Sequence, residues 1–318
     1  MVKDKTFLIT GGAGFIGSWL TETLVELGAK VTVLDNLSSG SIENIKHLFN
    51  CGNFDFIEAD VSNYKNNRIY DYIVHAASIP APDMYVTRPV ETMLPNSIGT
   101  LNILEVSRKY GSRVLFLSTS EVYGDARVVP TPENYWGYVN PIGIRSCYDE
   151  SKRFGEALCM AYFRQYGIDV RIARIFNTYG PRLDPNACYA RVISKFIIQA
   201  LRGDPITIYG DGKQTRSFLY ITDAIEALVK FLLIDGLSGE VVNIGSPHEI
   251  TILELANIIK RLTGSNSPIE FHPPRPDDPK RRCPDISKAQ RILNWNPKVS
   301  LHDGLELTIA WFKKVIII

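Results

Sequence analysis

Long apolar runs are missing from this sequence. None approaches the roughly 18 residues that a membrane-crossing helix needs, so no helical span is expected. Runs of one charge are missing too. The 35 basic and 34 acidic side chains leave a formal net charge of +1, with no basic stripe for a nucleic acid or other polyanion. Cysteine is scarce: Cys51, Cys147, Cys159, Cys188 and Cys283 are scattered, odd in number and without metal spacing. They read as reduced thiols rather than as a disulfide framework. The histidines stand apart from one another, so no metal site is expected, and His75, at a strand end, reads as a packed residue. No internal repeat or low-complexity tract occurs. The first strand begins at Thr6, which leaves no room for a secretion signal and sets the expectation of a cytoplasmic protein.

What the chain does have is a glycine-rich turn in a strand–turn–helix setting. Thr6-Phe-Leu-Ile-Thr10 reads as a buried strand, and Gly11, Gly14 and Gly17 follow at once. An apolar-periodic helix then runs from Phe15 to Leu27, with Gly28 as its stop. Glycines here permit a tight turn, close approach of backbone to a pyrophosphate, and close packing of helix on strand. The helix N-terminus offers free N–H groups to the phosphates. A second strand, Lys30-Val-Thr-Val-Leu-Asp35, ends in an acid placed to grip ribose hydroxyls. That acid would repel a 2′-phosphate, so Asp35 argues for NAD over NADP. The strand Phe54 to Ala59 leads to Asp60 and Val61, placed for the adenine, and Tyr72 to His75 leads to Ala76, Ala77 and Ser78, small enough to let a cofactor lie against the strand ends.

A second motif is Tyr148-Asp-Glu-Ser-Lys152. Positions i and i+4 share a helix face, so phenol and ammonium point the same way. A free tyrosine, with a pKa of about 10, is a poor base at neutral pH, and a cation held beside it favours the phenolate. Such a pair can take the proton of an alcohol while a nicotinamide takes the hydride. Strand Arg113 to Leu117 leads into Ser118-Thr-Ser-Glu121, a helix runs from near Tyr148 to about Tyr166, and strand Asp169 to Arg174 follows. Strands alternating with helices predict an α/β fold, a Rossmann-type doubly wound parallel sheet. After residue 175 the rhythm breaks into shorter elements and a proline-rich loop, Pro268 to Pro284. The reading is a dinucleotide domain over 1–175 and a smaller mixed α/β substrate lobe over 176–318, with the chain free to cross between them more than once.

Several segments together resemble the extended short-chain dehydrogenases of the nucleotide-sugar epimerase/dehydratase group. They are Ser118-Thr-Ser-Glu-Val-Tyr-Gly124, Tyr135-Trp-Gly-Tyr-Val-Asn-Pro-Ile-Gly143 with Arg145 and Cys147-Tyr-Asp-Glu150, Arg174-Ile-Phe-Asn-Thr-Tyr-Gly-Pro-Arg182, Tyr209-Gly-Asp-Gly-Lys-Gln-Thr-Arg-Ser-Phe218, and Asp277-Asp-Pro with Arg282-Cys-Pro-Asp285. Within the group the resemblance is strongest to the UDP-glucuronate decarboxylases, through the 135–150 and 277–285 stretches. It implies Thr119, Glu121, Tyr148, Lys152 and Arg282 as catalytic residues. Thr119 and Glu121, two apart, would face one side of an extended segment. Tyr148 would take the C4 proton as NAD accepts the hydride, carbon dioxide would leave from the 4-keto sugar, and Glu121 or Arg282 would serve protonation at C5.

The expected NAD contacts are Gly11, Gly14, Phe15, Ile16, Gly17, Asp35, Asn36, Asp60, Val61, Ala76, Ala77, Ser78, Asn96, Tyr148 and Lys152. Tyr85, Thr119, Arg145, Asn177, Arg191, Tyr209, Arg216 and Arg282 are the expected contacts to a UDP-sugar, with Tyr209 against the uracil. The resemblance further implies a homodimer through the helices near 89–110 and 148–166. The sequence departs from the decarboxylase pattern at Ile79-Pro80-Ala81, at Thr87 and over 183–190. A UDP-sugar 4-epimerase, which uses the same Thr/Tyr/Lys set, is the alternative within the class. A non-catalytic NAD-binding module is the alternative outside it.

Overall fold

The computed structural model describes residues 2–184, 191–275 and 278–316. Cys188, Asp277 and the 185–190 part of the divergent stretch lie outside them. The first half alternates strand and helix. β1 (Thr6–Thr10), α1 (Phe15–Glu26), β2 (Lys30–Asp35), β3 (Phe54–Glu58) and β4 (Tyr72–His75) come first. Two short helices follow, α2 (Pro82–Thr87) and α3 (Pro89–Leu94), and a π-turn at Pro95–Gly99 joins α3 to α4 (Thr100–Tyr110). β5 (Arg113–Thr119), α5 (Ser146–Tyr166) and β6 (Val170–Ile175) complete this half.

Phe7, Leu8, Ile9 and Thr10 are all buried, as expected of a strand covered on both faces by helices. Gly28 at φ 83° and Gly167 at φ 67° take the left-handed conformation that ends α1 and α5. The main sheet has seven parallel strands. Its order is the strand Val241–Ile244, then β6, β5, β4, β1, β2 and β3. The expected lobes allowed the chain to cross between them more than once. In the structure Val241–Ile244 returns from the second half to pair in parallel with β6, Val241 opposite Ile172 and Ile244 opposite Ile175.

The rest of the second half forms small sheets of two or three strands packed with the helices Val192–Arg202, Ile252–Thr263 and Leu301–Val315. One of them joins Thr215–Ser217 to Arg281–Arg282 in parallel, setting Arg216 beside Arg282. Among the described residues no helix is long and apolar enough to cross a membrane, and Cys51, Cys147, Cys159 and Cys283 are free thiols. His302, Asp303 and Glu306 come within 4.8 Å of one another on an exposed helix face. None of the three lines the cavity described next.

Candidate active site

The sheet order reverses between β1 and β4. From β1 the chain runs outward to β2 and β3, and from β4 it runs the other way. Ligands in such sheets bind at the carboxyl ends of the strands at this reversal. A cavity of about 1110 Å³ opens there. Every residue expected to contact cofactor or substrate lines it except Asn96.

The glycine loop closes on itself. Gly11, at φ 70°, donates its N–H to Leu34 O at 2.8 Å. A Cβ at Gly17 would sit 2.0 Å from Gly11 O, so only glycine fits there. α1 has no side-chain cap. The first-turn amides of Phe15 and Ile16 are therefore available to phosphate. The Asp35 carboxylate accepts from Ala13 N at 2.9 Å and from Leu37 N at 2.8 Å. Burial pushes its pKa up, and those two amides pull against the shift. Asn36 donates to Asp60 at 2.9 Å, tying the ends of β2 and β3 together. Ser78 Oγ is buried in the cavity wall with no hydrogen-bond partner among the described residues. A narrow glycine cradle, an acid at the end of β2 and an unpartnered hydroxyl are what a dinucleotide with free ribose hydroxyls requires.

Tyr148 and Lys152 lie on the first turns of α5, both buried. Tyr148 stacks on Tyr85 with ring centroids 5.1 Å apart and planes 11° from parallel. Tyr85, expected at the sugar, thus braces the Tyr148 phenol. Burial pushes the Tyr148 pKa up to about 12, while the Thr119 hydroxyl and Arg191 pull it down. Lys152 lies one turn beyond Tyr148 on the same helix. Its Nζ donates to Leu117 O at 2.7 Å, and burial lowers its pKa to about 7 against the pull of Glu156.

Behind Lys152, Glu156 accepts from Ser118 Oγ at 2.5 Å and from Arg174 at 2.9 and 2.6 Å. Arg174 continues to Tyr123 OH at 2.9 Å, locking α5 to β5 and β6. Asn96 belongs to this supporting shell. It sits in the π-turn and donates to Ser151 Oγ at 3.1 Å and Thr92 O at 3.1 Å. His75 is also structural. It bonds Thr10 Oγ1 at 2.7 Å and Pro95 O at 3.0 Å, and burial first, then the Lys152 charge, hold its pKa down at about 3.

The geometry assumed for Thr119 and Glu121 is corrected. β5 ends at Thr119, and Ser120–Tyr123 is a 3₁₀ turn begun by Thr119 Oγ1, which accepts from Glu121 N at 3.3 Å. The turn swings Glu121 away from the strand line and into a pair of arginines. One carboxylate oxygen takes Arg282 Nη1 and the other takes Arg145 Nη2. Burial alone would raise the pKa of Glu121, but Arg282, Arg145 and Arg216 outweigh it and hold it at about 2. Glu121 is therefore an anion that organises cations, not a ready acid. Arg282 is buried, and its Nη2 has no hydrogen-bond partner among the described residues.

The far end of the cavity is cationic. Arg216 donates to Asp278 at 2.9 Å and to Thr215 O at 2.8 Å. Asn177 donates to Ser217 O at 3.3 Å. Arg191 precedes the helix Val192–Arg202 and lines the same wall. Tyr209, expected against uracil, has Arg275 at 4.3 Å and Lys195 at 4.8 Å from its ring centroid. Both cations line the cavity. Lys195, Arg275 and Asp278 also line the cavity and were not among the expected contacts, because isolated charges carry no spacing signal until the fold gathers them.

Fold and cavity define the class of the short-chain dehydrogenases, which work through a dinucleotide held at the strand ends. More particularly, the chain belongs to the NAD dependent epimerase/dehydratase family, whose model matches residues 7–245. It is 49% identical over 313 residues to UDP-glucuronic acid decarboxylase 1 of Danio rerio, covering 98% of this chain and 74% of that protein. It is 48% identical over 312 residues to UDP-glucuronic acid decarboxylase 4 of Arabidopsis thaliana, covering 98% and 69%. Among solved structures it is similar to the UDP-glucuronic acid 4-epimerase of Bacillus cereus in complex with UDP-glucuronic acid and NAD. The TM-score is 0.90 at 31% identity, covering 98% of this chain and 100% of that one.

Proposed function

We propose that this protein is a UDP-glucuronate decarboxylase that makes UDP-xylose through a 4-keto intermediate with recycled NAD. The observation that carries the reading is the Arg145–Glu121–Arg282 array beside Thr119 and Tyr148 in one cavity. It sets cationic N–H groups, including the unpartnered Nη2 of Arg282, where a sugar carboxylate can meet them. The relatives named UDP-glucuronic acid decarboxylase, matched over nearly the whole chain, support it.

Gly11, Gly14, Gly17, Asp35 and Asp60 would hold the dinucleotide. Bound NAD would supply a hydride acceptor for C4 and a hydride donor for the return step. Tyr148 takes the proton of the C4 hydroxyl, and Thr119 orients that hydroxyl. The 4-ketone is β to the C6 carboxylate, so the C5–C6 electron pair can pass into an enolate as carbon dioxide leaves. Tyr148, now protonated, and Thr119 donate hydrogen bonds to the developing oxyanion. C5 then gains a proton that Tyr148 cannot spare, because Tyr148 returns its own proton to the C4 oxygen. Each turnover therefore takes up one proton from outside this pair. Arg191, Arg216, Arg275 and Lys195 neutralise the diphosphate, where bidentate guanidinium contacts suit its oxygens. In this reading residues 1–175 hold NAD and the Tyr/Lys pair, and 176–318 hold the nucleotide sugar.

The deciding experiment is incubation with UDP-glucuronate, followed by carbon dioxide capture and mass analysis of the nucleotide product. Carbon dioxide and a UDP-pentose are expected. Conversion to UDP-galacturonate without carbon dioxide would establish the 4-epimerase reading instead, and unchanged substrate would point to the non-catalytic module.

We propose a cytoplasmic location, which the free thiols of the described residues support through their fit to a reducing compartment. The protein is further proposed to be a homodimer through α3, α4 and α5. Val90, Met93, Ile98 and Leu101 on the 89–110 stretch and Phe154 on α5 are exposed. A row of apolar side chains facing water on packed helices is the surface a second copy would cover. Light scattering at micromolar concentration should give twice the chain mass; a monomer would refute it.

A further inference from the structure

Asp149 follows Tyr148 on the first turn of α5 and is not used by the chemistry above. Its side chain is 7% exposed. Oδ1 has no hydrogen-bond partner among the described residues. Oδ2 lies 3.8 Å from Arg145 Nε, too far for a hydrogen bond. Arg145 instead gives its Nη2 to Glu121. One guanidinium thus stands between two buried carboxyl groups and is committed to Glu121. Asp149 does not line the cavity, whereas Arg145, Glu121 and Arg282 do.

A carboxylate with one oxygen fully buried and without a hydrogen bond, and the other held only at 3.8 Å from a shared guanidinium, is unfavourable. The arrangement is that of a neutral acid. The groups that face it come from every side. Arg145 and Glu150 flank it in the chain, Glu121 comes from the turn after β5, and Arg282 comes from the second half. Tyr85, Cys147 and Tyr148 also feel its charge. Burial first and the Glu121 charge next push the Asp149 pKa up to about 7, against Arg145 and Arg282.

We propose that Asp149 is a positioning residue for this reaction, held as the neutral acid, whose deprotonation draws Arg145 off Glu121 and loosens the Arg145–Glu121–Arg282 array. The proposal rests on the decarboxylase reading for the role of that array. Closing the 3.8 Å gap to hydrogen-bond length moves Arg145 by about 1 Å, a displacement on the scale that costs about 10²-fold in rate.

The test compares wild type, Asp149→Ala and Asp149→Asn. Asp149→Ala should lose about 10- to 100-fold in kcat/KM at pH 6, and Asp149→Asn, which keeps the shape without a charge, should restore most of it. Lys152 titrates in the same range. The basic limb of the wild-type profile should therefore carry about two ionisations, and that of Asp149→Asn about one. A basic limb in Asp149→Asn identical to wild type would overturn the proposal. So would failure of asparagine to rescue.

A second readout needs no substrate. The native pKa of Asp149 lies above the ordinary carboxyl value, so the folded state keeps this proton longer than the unfolded chain does. Its stabilising effect is full at low pH and is lost as pH rises through about 7. The melting temperature of wild type should fall relative to Asp149→Asn between pH 5 and pH 8.5. A pH-independent difference would sink the assignment even if the reaction proved to be epimerisation. A pH-dependent difference in an enzyme that releases no carbon dioxide would instead fault only the reaction class.

Discussion

Tyr148→Phe should lose on the order of 10²–10⁴-fold in kcat, the scale expected for a positioned acid or base. Substrate binding should change little. The ring is kept, so stacking on Tyr85 survives, and the variant should fold and bind NAD as wild type does. What is lost is the phenolic hydroxyl hydrogen-bonded to Thr119. In the unliganded protein, burial holds that phenol at about 12, well above neutral pH. Proton transfer must therefore be made favourable by charge brought to the site. Arg191 and Thr119 already pull in that direction, and bound oxidised NAD would add a further positive charge. Stopped-flow absorbance at the NADH band after mixing with UDP-glucuronate reads the first hydride transfer directly. No NADH transient is expected in Tyr148→Phe, and wild-type turnover in this variant would overturn the assignment.

The dinucleotide half of this site was legible in the sequence because local chemistry dictates it. A strand, glycines where a Cβ would strike Gly11 O, and an acid at the end of β2 each act through neighbours in the chain. The same holds for Tyr148 and Lys152, whose common face follows from helix geometry. Reading failed where long-range packing decides. Thr119 and Glu121 looked like alternate positions of a strand, but a 3₁₀ turn begins at Ser120 and sends Glu121 to Arg282, a residue 161 positions away. The bond that Lys152 gives Leu117 O was not readable either, because no spacing rule exposes that carbonyl. Asn96 was expected at the cofactor; its amide nitrogen bonds Ser151 from a π-turn, a contact no spacing rule exposes, and its Oδ1 has no hydrogen-bond partner among the described residues. Val241–Ile244 is too short to announce that it rejoins the parallel sheet; only pairing with β6 reveals it. Asp149 was visible inside the motif, but its significance is its burial, which no sequence pattern carries.

Glu121→Gln and Arg282→Ala should divide the reaction rather than abolish it. Neither residue touches the Tyr148 proton, so oxidation at C4 and loss of carbon dioxide can still occur. What fails is the step after decarboxylation. The C5 carbanion equivalent must be held against the site's N–H groups until a proton arrives, and Arg282 Nη2 is the unpartnered donor available for that. Glu121, with both oxygens in ion pairs, sets where Arg282 and Arg145 point. Removing either residue should cost about 10²–10⁴-fold in UDP-xylose formation. The variants should accumulate NADH and release a 4-keto pentose nucleotide, visible by absorbance and mass analysis. Glu121→Gln should also be the less stable protein, because it strips the anion from two buried guanidinium groups, a change worth about 3–5 kcal/mol. That stabilisation is present above the ordinary carboxyl pKa and is lost only as pH falls toward about 2, so thermal melting at neutral pH exposes all of it. A leak of the keto product without loss of fold in Arg282→Ala separates chemistry from stability. Full loss of the NADH transient in both variants would show instead that the arginines are needed to seat the substrate before C4 is oxidised.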